Sequence, residues 1–132
     1  MKGVLEPFRI GPIGQAQVAA FAEVSGDANP LHVNREIART IGLDAAPVHG
    51  MLLVAFLHEA ARRHQPTAVV TGLSTRFMAP VPVGETIDIT GRVVKQGGAG
   101  EVLILRLMVR TAVGTLACMA EATLAPPRGG WR

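Results

Sequence analysis

The densest concentration of reactive side chains in the chain is the run Gly26-Asp27-Ala28-Asn29-Pro30-Leu31-His32, which places a carboxylate, an amide and an imidazole within seven residues. Pro30 breaks any helix through this run and stiffens it, so the run forms a loop that can hold two groups in fixed relation. Asp27 and His32 suit general acid–base work, in which one group orients a water and accepts its proton while the other donates or steers. Asp and Asn are also ordinary loop residues, so an equally simple reading has Asp27 bonding loop amides and His32 filling a crevice. A second cluster, Pro47-Val48-His49-Gly50, stands directly before an apolar run. Gly50 falls where a helix start offers unsatisfied amides and a positive dipole end, and its missing side chain lets a ligand approach its N–H, which can then stabilise an oxyanion. His49 fits packing or capping near that helix start as well as substrate contact. Asp27, His32 and His49 as a metal site match no usual zinc spacing.

Three helices must position these loops. Residues 15–25 bring Val18, Phe21, Ala22 and Val24 together at helical spacing, with Gly26 as a stop. Asn34 caps a second short helix, REIARTIG, with Ile37, Ala38 and Ile41 as its apolar stripe and Gly42 as its stop. Residues 51–64, MLLVAFLHEAARRH, are apolar nearly all round for two turns and end in Arg62, Arg63 and His64, cations that suit the helix dipole. Such a helix is expected at the centre of the fold, enclosed by the rest of the chain. From Ala68 onward the period becomes two. Strands are expected over 68–78, 86–94, from Glu101 to Val113 and from Thr115 to Ala125, joined as an antiparallel meander through GGAG and Gly114. The tail PPRGGWR has no periodicity and is expected to fray. The fold class is α+β, one apolar helix covering an antiparallel sheet.

The 132 residues fit a single domain spanning 1–132, and the 48% hydrophobic content excludes intrinsic disorder. Only 17% of residues are charged, which points to an oligomer that covers apolar surface. Thirteen Lys and Arg against ten Asp and Glu leave a net charge of +3. The Arg residues are scattered and Tyr is absent, which argues against a nucleic-acid interface while leaving contacts with phosphorylated small molecules open. The single cysteine, Cys118, lies in an apolar alternating run and is expected to be a buried free thiol. The segment MKGVLEPFRIGP lacks a continuous apolar stretch and no run reaches the ~18 residues of a membrane span, so cytoplasm is the expected location, away from membranes.

SGDANPLHVN followed by PVHGMLLVAFL, with TRFMAPVPVGETI further on, resembles the hydratase 2 motif of R-specific enoyl-CoA hydratases, the MaoC-like branch of the hotdog fold. The resemblance runs from about Ala16 to Leu124. It implies a catalytic pair at Asp27 and His32, a substrate-binding amide at Gly50, and substrate-side positions at Asn29, His49 and His58. The implied reaction is reversible syn hydration of a trans-2-enoyl-CoA to an R-3-hydroxyacyl-CoA, as in fatty acid metabolism, with no metal or other cofactor. The implied assembly is a homodimer, and a compact acyl pocket for short to medium chains goes with the short length. Two positions depart from the pattern. Asn34 stands where aspartate is common, and caps equally well. His58 stands where related hydratases carry a small hydroxyl residue. Three alternatives remain: an R-3-hydroxyacyl-carrier-protein dehydratase, a hotdog thioesterase using Glu59, and a non-catalytic acyl-thioester-binding subunit, for which His58 is the support.

Overall fold

The computed structural model describes residues 3–98 and 100–131. A short strand, β1 (Phe8–Ile10), leads into helix α1 (Gln15–Ser25), a single 3-10 turn (Pro30–His32), helix α2 (Arg35–Thr40) and helix α3 (Gly50–His64). Four long strands follow: β2 (Val69–Phe77), β3 (Ile87–Gln96), β4 (Leu103–Thr111) and β5 (Leu116–Ala125).

The helix boundaries follow local chemistry. Gly26 ends α1 in the left-handed region at φ 78°, its N–H bonding the Ala22 carbonyl. The Asn34 side chain accepts from the Glu36 and Ile37 amides and starts α2. The stripe expected on α2 is buried only at Ala38; Ile37 is 38% exposed, and Ile41, which caps the helix rather than lying within it, is 61% exposed.

All strand pairs are antiparallel, in the order β1-β3-β4-β5-β2. The meander holds for β3, β4 and β5. The first long strand departs from it: β2 does not pair with β3 but lies at the far edge against β5, with Thr75 opposite Ala120. At the other edge β1, too short to show a period, pairs with β3, and Arg9 grips Asp88 with two hydrogen bonds of 2.8 and 3.2 Å.

The core lies between the sheet and α3. Leu103, Leu105, Leu107 and Val109 of β4 alternate inward and meet Leu52, Leu53, Leu57, Ala60 and Ala61. Each fully buried leucine contributes about 1.5–3 kcal/mol relative to exposure. Enclosure of α3 is one-sided, however. Met51 is 63% exposed, and Met51, Val54, Ala55 and His58 line an open cavity of about 430 Å³ with Val70, Thr71, Gly72 and Leu73 of edge strand β2. The tail does not fray throughout: Trp131 packs against the core cluster and its indole N–H donates to the Glu101 carbonyl at 2.8 Å.

Candidate active site

The two loops singled out by sequence meet in space. Asp27 precedes the 3-10 turn and His32 is its last residue; the start of the turn is fixed by Asn29, whose side chain accepts from the Leu31 amide at 3.0 Å. Asn29 therefore shapes the loop, and its own amide bonds the Asp27 carboxylate at 3.4 Å. The Asp27 amide donates to Ser25 Oγ at 3.1 Å. Asp27 Oδ2 stands 3.9 Å from His32 Nε2, with the Asp27 side chain 49% exposed and that of His32 13% exposed.

His32 Nδ1 lies 2.9 Å from the Pro47 carbonyl. A carbonyl only accepts, so Nδ1 carries the proton of that bond, and Nε2 is the atom turned toward Asp27. The Pro47 segment is itself held in place: the Val48 amide donates to Val81 O at 2.7 Å, and the Val83 amide to Ala46 O at 2.8 Å. The stretch 81–83 thus clamps the approach to α3, which gives the PVPVGE sequence a positioning role.

His49 is fully buried. Its Nε2–H donates to the Asp27 backbone carbonyl at 3.0 Å. Its ring stacks on that of His32, with centroids 3.8 Å apart and planes 25° apart, and meets the Phe21 ring edge-on at 4.9 Å. Asp27, His32 and His49 each bring a ligating atom within 4.8 Å of the others. His32 Nδ1 and His49 Nε2 are already engaged by the Pro47 and Asp27 carbonyls, and rings stacked in near-parallel planes are poorly placed to aim two lone pairs at one ion.

Gly50 opens α3 immediately after His49, so its N–H belongs to the unsatisfied first turn. A Cβ built there would stand 3.0 Å from Phe77 Cζ. Gly50 and Phe77, with Pro47, Val48, Leu53 and Met78–Val81, line an apolar cavity of about 340 Å³. His58 is not part of this cluster: eight residues along α3 from Gly50, it lies ~12 Å further up the helix axis and lines the cavity beside β2. Glu59 is on the exposed side of α3, 3.5 Å from Arg63. Phe21, Ser25 and Phe77 were not among the residues expected at the site, and Pro47 was expected only as part of the Pro47–Gly50 run, with no role for its carbonyl. Pro47 acts through its backbone carbonyl, and Phe21 and Phe77 through their rings, contacts across the fold that no local spacing encodes.

A helix laid across a five-stranded antiparallel sheet, with a loop carrying a carboxylate and an imidazole packed near its N-terminus, defines a hotdog-fold protein. The chain belongs to the MaoC-like domain family, whose profile matches residues 6–107. An (R)-specific enoyl-CoA hydratase of Aeromonas caviae is 33% identical over 116 residues, covering 86% of this chain and 87% of that protein. The solved (R)-hydratase of that organism, described as involved in PHA biosynthesis, superposes with a TM-score of 0.84 at 31% identity, over 96% of this chain and 98% of the other. A mitochondrial 3-hydroxyacyl-[acyl-carrier-protein] dehydratase of Arabidopsis thaliana is 41% identical over 70 residues, and the match spans 42% of its length.

Proposed function

We propose that this protein is an R-specific enoyl-CoA hydratase, a hydro-lyase that reversibly adds water to a trans-2-enoyl thioester. The observation that carries this reading is the facing of Asp27 and His32 across 3.9 Å, beside the first turn of α3. A water beside the line joining the two atoms can donate a hydrogen bond to each of them. The water oxygen attacks C3, the pair takes up one of its protons, and a proton is delivered to C2 on the same face, giving the R-3-hydroxyacyl product. Negative charge develops on the thioester oxygen in the enolate-like transition state, and the Gly50 N–H, backed by the α3 dipole, stabilises it there. The thioester acidifies the α position, so proton transfer by the pair, positioning and charge stabilisation are all that the residues need to supply. The apolar cavity beside Gly50 suits a short to medium acyl chain.

Residues 1–132 act as one domain in this reading, and the working unit is a homodimer. The open edge of β2, with Val69 and Phe77 more than half exposed, and the uncovered α3 face beside it support that assembly. The cytoplasm suits the buried free thiol of Cys118. No described helix is long and apolar enough to cross a membrane. The solvent-facing Glu59–Arg63 pair supports hydration over thioester hydrolysis.

Similarity to the Arabidopsis dehydratase supports a second reading that differs only in carrier, an R-3-hydroxyacyl-carrier-protein dehydratase. The test is incubation of the purified chain with crotonyl-CoA and with crotonyl-acyl carrier protein, following loss of conjugated enoyl absorbance. Faster turnover of one identifies the carrier. Release of free CoA thiol without hydration would assign a thioesterase instead, and no turnover of either substrate would leave a binding subunit.

A further inference from the structure

His49 is placed to govern the catalytic loop without touching substrate. Its ring is fully buried, so it offers no accessible face, yet it contacts three parts of the site at once. Its Nε2–H holds the backbone carbonyl of Asp27 at 3.0 Å. Its face lies against the His32 ring at 3.8 Å. Its own carbonyl receives the Leu52 and Leu53 amides at 3.1 and 3.3 Å, which ties it to the first turn of α3 and so to Gly50. The Phe21 ring presses edge-on from α1 and blocks rotation away from this position. The other ring nitrogen, Nδ1, is buried without a hydrogen-bond partner among the described residues. A buried polar atom left unpaired costs about 1–3 kcal/mol. A phenylalanine in the same place would avoid that cost, so the imidazole is explained by what its Nε2–H and its ring do together.

We infer that His49 is a positioning residue for hydration: its Nε2–H fixes the Asp27 end of the loop while its ring face sets the plane of His32, so that carboxylate and imidazole meet one water in register with the Gly50 N–H. Asp27 and His32 are the ionisable groups facing it, from the loop between α1 and α2. This inference rests on the hydratase reading above. Displacement of reacting groups by about 1 Å costs on the order of 100-fold in rate. Such a residue acts on kcat and leaves KM nearly untouched, because ground-state binding does not pass through it.

Three variants separate its parts. His49→Gln places an amide N–H near the Nε2 position and removes the ring; His49→Phe keeps the ring and removes the donor; His49→Asn carries an amide too short to reach the Asp27 carbonyl. Steady-state kinetics on crotonyl-CoA should show kcat reduced ~100-fold in His49→Asn, partly restored in His49→Gln, and KM within about threefold of wild type in both. A kcat within threefold of wild type in both His49→Asn and His49→Phe would overturn the inference. So would a raised KM at unchanged kcat, which signals substrate contact. Imidazole ¹⁵N–¹H correlation spectra of the unmodified protein give a readout independent of whether any variant folds. His49 should show a slowly exchanging Nε2–H with a bare Nδ1, and an Nδ1–H tautomer would contradict the geometry. Inactivity of the wild type toward enoyl thioesters would instead defeat the hydratase reading while leaving the tautomer result standing.

Discussion

Gly50 and Phe77 are fitted to each other: a Cβ at Gly50 would lie 3.0 Å from Phe77 Cζ and 3.2 Å from Cε1. The ring is half exposed and can yield by a few tenths of an ångström, whereas an added methyl still obstructs approach to the Gly50 N–H. Gly50→Ala is therefore expected to lower kcat by ~10–100-fold, the scale of losing one oxyanion donor in part, with a stability loss under about 1.5 kcal/mol. Combining it with Phe77→Leu should recover the stability and not the rate, as read by thermal melts and crotonyl-CoA turnover.

Asp27→Asn and His32→Ala remove the two members of the proposed acid–base pair. Each should reduce kcat by about 10²–10⁴-fold, the usual contribution of a positioned proton-transfer group. The double variant should be little worse than either single one, because both act on one water. Circular dichroism melts should stay close to wild type for Asp27→Asn, whose side chain is half exposed.

Gly91 tests the packing of β3 on β4. A Cβ there would meet the Arg106 carbonyl oxygen and Leu107 Cδ2, each at 2.7 Å, and a backbone oxygen cannot step aside. Gly91→Ala is expected to destabilise the fold by ~1–3 kcal/mol through overpacking, visible as a lower urea midpoint at unchanged slope.

These elements differ in how far the sequence revealed them. The ends of α1 and α2 and the alternation of β3, β4 and β5 depend on neighbours a few residues apart, and Gly26, Asn34 and the Leu103–Val109 series announce them. Asp27, Asn29 and His32 were legible because a proline-stiffened loop concentrates them. The crossing of β2 to the far edge, the Pro47 carbonyl against His32 and the Phe21 ring against His49 join residues far apart in the chain. Pairing choices of this kind depend on the closed core, and a backbone carbonyl carries no residue signature at all. The one-sided cover of α3 misled for a related reason: its apolar surface includes a face that the rest of this chain leaves open.

Cys118 is buried in β5, and burial pushes its thiol up to about 11 from an ordinary 9.0. Thiolate is the reactive form, so a disulfide reagent at pH 8 should leave the folded protein unmodified and label one thiol per chain after denaturation. The unfolded chain gives up this proton first, so the folded state binds more protons between pH 9 and 11 and stability should fall as pH rises through that window.

The uncovered α3 face and the β2 edge give an assembly prediction. Sedimentation should report twice the 13.9 kDa chain mass, and Val69→Lys, which charges an exposed apolar position on the edge, should shift the equilibrium toward monomer. A wild-type monomer at micromolar concentration would contradict it.

The stereochemistry of hydration bears most directly on the account. Crotonyl-CoA treated with the protein in deuterium oxide should yield R-3-hydroxybutyryl-CoA with a single deuterium at C2, on the same face as the new hydroxyl. An S product, an anti relationship between the added groups, or recovery of unchanged crotonyl-CoA would contradict the roles given to Asp27, His32 and Gly50.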